Sequence, residues 1–164
     1  MFFILKGKTS VKMVYFSLYK NTTGSNNMAV GPAALFENTT GSSNTAIGYE
    51  ALLNNTTASY NSAIGYQVLR SNTTGVRNVA FGYQALYTNT TENDLTAIGH
   101  MALYSNTTGS QNVATGSAAL YSNTTGDYNT GLGYSALRYN TTGSNNTGIG
   151  YAALYPNTTG AANN

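Results

Sequence analysis

The chain has 164 residues, of which only 7% are charged, against roughly 25% in an ordinary soluble protein. Its net charge of +2 comes from Lys6, Lys8, Lys12 and Lys20. Beyond them three arginines face five acids, which excludes the dense basic face that nucleic-acid binding needs. There is no cysteine, so disulfides, thiolate metal sites and thiol chemistry are excluded, and no apolar run nears the roughly 20 residues of a membrane span.

Polarity comes instead from 22 Asn and 25 Thr. Low charge with such a composition fits disorder, but the apolar residues recur too strictly for a disordered chain.

Residues 1–20 stand apart. Phe2, Phe3, Ile4 and Leu5 precede the first lysines, whereas a secretory signal places its basic residues before the apolar run and ends at a small-residue cleavage site. Residues 12–20 read better as the back half of a degenerate capping rung, with Tyr15, Leu18 and Tyr19 in the columns of Tyr49, Leu52 and Leu53. Terminal repeats of a stacked array are commonly atypical.

Eight repeats follow over residues 21–156, and a ninth begins over 157–164. The step is 17 residues without insertion or deletion. One rung this short cannot bury its own apolar face, so the repeats are expected to stack. The chain stops where the ninth apolar core is due, so the array is expected to continue in a longer protein or to be covered by something else.

Columns carry the information. Leu35, Leu52, Leu69, Leu86, Leu103, Leu120, Leu137 and Leu154 never vary. The branched column is Val30, Ile47, Ile64, Phe81, Ile98, Thr115, Leu132 and Ile149, each preceded by Ala or Gly. Ala33, Glu50, Gln67, Gln84, Met101, Ala118, Ser135 and Ala152 form a variable column, expected to face solvent.

Asn-Thr-Ala-Ile-Gly reads as a short strand, with Ile47 and Thr45 on one face and Ala46 and Asn44 on the other. One face should line the interior. The Ala/Gly face is expected to pack closely on something else, such as a second chain. Tyr-x-Ala-Leu reads as a second strand or, fitting the variability better, a single helical turn. Asn-Thr-Thr-Gly reads as a turn in which Asn and Gly supply positive φ. The column containing Asn27, Asn44, Asn61 and Asn78 can form an amide ladder, broken at Leu95. The expected fold is all-β: a β-solenoid, or β-roll, of 17-residue rungs.

Asn44-Thr45-Ala46-Ile47-Gly48 and Asn61-Ser62-Ala63-Ile64-Gly65 are followed, after two intervening residues, by Ala51 and Val68. These segments resemble the head repeats of trimeric autotransporter adhesins. They are also similar to the Asn-Thr-Thr-Gly-rich repeats of fibre and surface proteins that carry an endosialidase-type chaperone domain. The resemblance covers residues 21–164 and implies a β-roll that trimerises and binds matrix or host surfaces. The present repeat is longer in its turn, and Leu52 stands where the adhesin pattern has smaller residues.

Function is therefore expected to be structural or adhesive, in a cell-surface, extracellular or virion-fibre protein. The alternative is a subunit of a self-assembling extracellular filament. Expected partners are a carbohydrate or protein surface and further copies of the chain, as a trimer or filament, with no nucleic acid. Asn21, Asn38, Asn55, Asn72, Asn89, Asn106, Asn123, Asn140 and Asn157 each open an Asn-Thr-Thr sequon. They are candidate glycosylation sites, or simply turn residues. Tyr49, Tyr66, Tyr83, Tyr134 and Tyr151 form a stripe that can stack on sugars or proteins, or merely cover the core. Phe36, Tyr87, Tyr104, Tyr121 and Tyr155 form a second one. Ice binding would need flat paired ranks of Thr, whereas adjacent Thr22 and Thr23 in a strand would point to opposite faces. Glu92, Asp94 and His100 are the one gathering of residue types that catalysis or a metal uses, and drift within a repeat explains it as well. No nucleophile–His–acid set, phosphate loop or metal-spaced cluster is present, so no enzyme, cofactor or metal is expected.

Overall fold

A computed structural model describes residues 11–13 and 15–163 of the chain. Residues 2–5, with Lys6 and Lys8, lie outside the described residues. Among the described residues nine three-residue strands form one parallel sheet in sequence order. They are β1 (Val11–Met13), β2 (Met28–Val30), β3 (Thr45–Ile47), β4 (Ser62–Ile64), β5 (Val79–Phe81), β6 (Thr96–Ile98), β7 (Val113–Thr115), β8 (Thr130–Leu132) and β9 (Thr147–Ile149). Each residue pairs with the one 17 places on, as in Ala46↔Ala63. The fold is a β-solenoid of 17-residue rungs. The register already holds at β1, where Lys12 pairs with Ala29, and Leu18 is buried in the leucine column.

The strand faces are the reverse of the expectation that the Ala/Gly face packs outward. Ala29, Ala46, Ala63, Ala80, Ala97 and Ala114 are completely buried and line the coil. The branched column looks outward, with Ile64 40% and Ile149 68% exposed. The reason is volume. A typical rung encloses one strand Ala (Gly131 and Gly148 in β8 and β9), an Ala–Leu pair such as Ala51 and Leu52, and two asparagines. At the strand position such a coil has room for no more than Ala, and the extra branched residues it does enclose, Val68 and Leu95, stand in other columns.

Tyr-x-Ala-Leu is neither strand nor helix but a turn. Glu50 and Leu52 both have left-handed backbones, with φ of 52° and 53°, as do their equivalents in every rung. A non-glycine residue there is disfavoured by roughly 1–2 kcal/mol. Stacking offsets this, because the flipped peptides bond to the neighbouring rungs. Glu50 N–H donates to Pro32 O at 3.0 Å below, and Leu52 N–H to Val68 O at 3.0 Å above. The expected solvent-facing column of Glu50 is thus only half exposed, and Ala118 and Ser135 within it are buried.

Two amide ladders run through the interior. In the first, Asn27 Oδ1 accepts from Asn44 N–H at 2.9 Å, while Asn44 Nδ2 donates to Ala58 O at 2.8 Å. The second uses the sequon asparagines: Asn55 Nδ2 donates to Asn38 Oδ1 at 2.9 Å and to Ala58 O at 3.0 Å. The threonine that follows adds a third row, Thr39 Oγ1 donating to Thr56 O at 3.0 Å.

In the Asn-Thr-Thr-Gly turn neither Asn nor Gly has positive φ. The glycine serves as a spacer instead. A Cβ at Gly41 or Gly126 would collide with the carbonyl oxygen of the next rung (Ala58 or Gly143) and would crowd the Asn Oδ1 of its own turn. Two rungs lack this glycine. At Ala58 the adjoining bonds lengthen to 3.1 Å (Asn72 Nδ2 to Asn55 Oδ1) and 3.2 Å (Thr56 Oγ1 to Thr73 O). At Glu92 they are lost. Asn89 Oδ1 is buried without a partner, Asn106 Nδ2 reaches only its own Gly109 O, and no bond joins Thr90 to Thr107. Leu95 interrupts the other ladder in the same rung, so both ladders break at one seam among the described residues.

Candidate functional site

Three outward strips repeat along the array. The first is the outer strand face, Thr45/Ile47, Ser62/Ile64, Val79/Phe81 and their equivalents, half-buried to exposed and without a charge.

The second is the tyrosine stripe. Tyr49, Tyr66, Tyr83 and then His100 form a continuous stack, with ring centroids 5.1–5.3 Å apart and planes within 12°. Tyr134 and Tyr151 form another, at 5.4 Å. Ser117 separates the two stacks. These spacings lie in the favourable range for offset aromatic pairs. Tyr66 and Tyr83, inside the first stack, therefore spend both faces on their neighbours and offer solvent an edge and a hydroxyl, whereas the end rings Tyr49, Tyr134 and Tyr151 stack on one face only. Sugar stacking on the faces, the chemistry expected of Tyr66 and Tyr83, is blocked by those neighbours.

The third strip holds Phe36, Leu53, Arg70, Tyr87, Tyr104, Tyr121, Arg138 and Tyr155. Tyr87, Tyr104 and Tyr121 stack at 5.3 Å. Arg70 Nε–H donates to Glu50 Oε2 at 2.7 Å, and Gln67 Nε2 donates to the same oxygen at 2.8 Å. Burial pushes the Glu50 carboxyl up, but hydrogen bonds from Arg70, Gln67 and Tyr49 outweigh it and hold it below the usual carboxylate range. The Tyr49 hydroxyl is raised in turn, first by its hydrogen bond to that carboxylate and then by its charge. This pair escapes a sequence reading made one column at a time, because it joins two columns. Its only signal is the offset of 20 residues, one rung plus three.

The sequon asparagines lie inside. Asn38, Asn55, Asn72, Asn89, Asn106, Asn123 and Asn140 are fully buried, their Nδ2 groups committed to the ladder or the turn carbonyl. Asn21 and Asn157, in the end rungs, are half-buried. A glycan on a buried Nδ2 requires the ladder to open.

Glu92, Asp94 and His100 do not converge. Glu92 Oε2 accepts from Ser110 Oγ at 2.9 Å, Asp94 holds Arg77 at 2.7 Å, and His100 ends the tyrosine stack across strand β6. Among the described residues no three His, Cys, Asp or Glu side chains are grouped to hold a metal ion. Nor is any helix there long and apolar enough to cross a membrane. No protein-family model, curated protein or solved structure matches this chain.

Proposed function

We propose that this chain is a non-catalytic structural and adhesive segment of a cell-surface or fibre protein, in the manner of the adhesin head repeats it resembles. The observation that carries this reading is the repetition itself. The described rungs present closely similar columns of ring edges, hydroxyls and branched side chains at about 4.8 Å intervals. Each rung offers a weak site, and many linked weak sites attach strongly through effective concentration. The partners are a carbohydrate or protein surface and other copies of the chain.

The outer strand face is where those copies associate. It is uncharged, continuous from Met28 to Ile149 and apolar in most rungs, so like surfaces can meet there without stranding a buried charge. Ile64→Lys with Ile98→Lys is expected to convert an oligomer to monomer by sedimentation. A wild-type chain that is monomeric at all concentrations would contradict this association.

Attachment is tested by surface retention of four variants, each lacking a different pair of rungs. All four should weaken gradually and alike. Total loss confined to the variant lacking residues 92–100 would overturn the adhesive reading in favour of a discrete catalytic site.

A further inference from the structure

The third outward strip contains an arginine twice, Arg70 and Arg138, four rungs apart. Around Arg70 the chain supplies a carboxylate, and Glu50 is shared between Arg70 Nε–H and Gln67 Nε2. Four rungs on, Ala118 stands in place of Glu50, Ser135 of Gln67 and Ala152 of Gln84. The cation and a neighbouring donor remain, and the carboxylate that joined them is gone.

The consequence is visible in the bonding. Arg138 Nε and Ser135 Oγ are both buried without a hydrogen-bond partner, and Ser135 is 1% exposed. Such orphaned donors are rare, because each carries an uncompensated desolvation penalty. Among the described side chains Lys20, Arg70 and Arg77 each meet a carboxylate, and Arg138 meets none. Ring faces hold it instead, with Cζ 5.6 Å from the Tyr121 centroid and 5.7 Å from that of Tyr139. Beside it opens a cavity of about 340 Å³, lined by Tyr134, Ser135, Arg138, Tyr151, Ala152 and Tyr155.

We propose that this cavity, opened where Ser135 and Ala152 replace the longer Gln67 and Gln84, is a receptor for the carboxylate of an acidic saccharide, drawn by an Arg138 that has no internal carboxylate. The guanidinium edge and the Ser135 hydroxyl bind the carboxylate, as a charge-assisted pair of the kind that gives arginine its selectivity for such groups. A second copy of the chain does not supply the anion. Its five acids are engaged: Glu37 with Lys20, Glu50 with Arg70, Asp94 with Arg77, and Glu92 and Asp127 with Ser110. The volume is at the low end of small-molecule pockets, roughly 300–1,000 Å³, and suits one sugar unit. The tyrosine rim offers ring edges and hydroxyls to its C–H and O–H groups. An extended acidic peptide would need a longer groove or an open sheet edge. The site stands on its own geometry, and only its use in attachment rests on the adhesive reading.

The test follows the Arg138 and Arg70 Nε–H resonances while sodium glucuronate, acetate, glucose or N-acetylglutamate amide is added to the whole chain. Glucuronate should move Arg138 saturably, with acetate and the amino-acid amide at least about tenfold weaker, glucose silent and Arg70 unmoved. Ala118→Glu restores the internal carboxylate and should abolish the response. Glu50→Ala combined with Gln67→Ser and Gln84→Ala, which gives Arg70 the surroundings of Arg138, should create a second responding site there, a gain that loss of folding cannot mimic. Absence of a saturable glucuronate response, or a response untouched by Ala118→Glu, would overturn the site. Acetate or the amide binding as well as glucuronate would overturn the saccharide as its ligand. Failure on any of these counts leaves the rung-number dependence of attachment intact, and failure of that dependence leaves this site intact.

Discussion

Glu92→Gly is expected to stabilise the protein, although it removes a side chain with two hydrogen bonds. The Glu92 Cβ stands where every other turn but that of Ala58 has glycine, and the bonds across to the next rung are missing there. Closing the seam returns Asn106 Nδ2 to the buried Asn89 Oδ1. It also restores the Thr90-to-Thr107 bonds that other rungs make from both backbone and hydroxyl. Satisfying the buried oxygen is worth roughly 1–2 kcal/mol, and the threonine bonds together about 1–2 more. Against this stand the half-exposed bonds of Glu92 to Ser110 and Thr91, at most about 1 kcal/mol. The added chain entropy of glycine removes about 0.5–1 more. The net gain is about 1–2 kcal/mol, read as a rise in the urea midpoint at unchanged slope. The reciprocal variant, Gly126→Glu, should open a second seam and lose about 2–4 kcal/mol. If Glu92→Gly destabilises while Gly126→Glu is neutral, the glycine column is not a spacer and the explanation of the seam fails.

Three further outcomes are expected. Ala80→Ile inside the coil should cost about 1–3 kcal/mol by overpacking, whereas Ile64→Thr on the outer face should cost under about 1 kcal/mol; denaturant titration of both checks which strand face is inside. Because the Glu50 carboxyl is held below its unfolded value, its contribution is fully present above the unfolded pKa and disappears as pH falls through the lower folded one. Melting temperature should thus drop over that acidic window and drop less in Glu50→Gln. Expressed in a glycosylating host, the folded protein should carry no glycan on Asn38, Asn55, Asn72, Asn89, Asn106, Asn123 or Asn140. Peptide mapping that finds one there in a natively melting sample would contradict the buried ladder.

Much of the architecture is legible in the columns. The 17-residue step, the position of the strand and the buried leucine follow from periodicity alone. The orientation of the strand does not, since alternation separates two faces without saying which is enclosed. The tolerance of the branched column for Val, Ile, Phe, Thr and Leu is the sign that it faces outward, where volume is unconstrained. The constancy of Ala opposite reflects a coil too narrow for more. The left-handed backbone at Leu52 and its equivalents has no residue signature, because rung-to-rung hydrogen bonds impose it against the preference of leucine. Asn38 and its equivalents look like turn residues or sequons because either role needs the same amide. Only stacking shows that their Nδ2 groups point inward. The carboxylate-deficient surroundings of Arg138 become readable only once rungs are laid over one another and Ala118 is compared with Glu50.

The most direct measurement compares two deletions made at the same place. Removing residues 55–71, one full period, should leave every later residue in its column and yield a shorter rod with a single cooperative melt close to that of the parent. Removing only residues 55–62 places Leu69 and each residue after it in the wrong column, and should abolish that melt. Equal melting of the two variants would contradict a solenoid built on a 17-residue rung, and with it the repeated surface on which the functional reading stands.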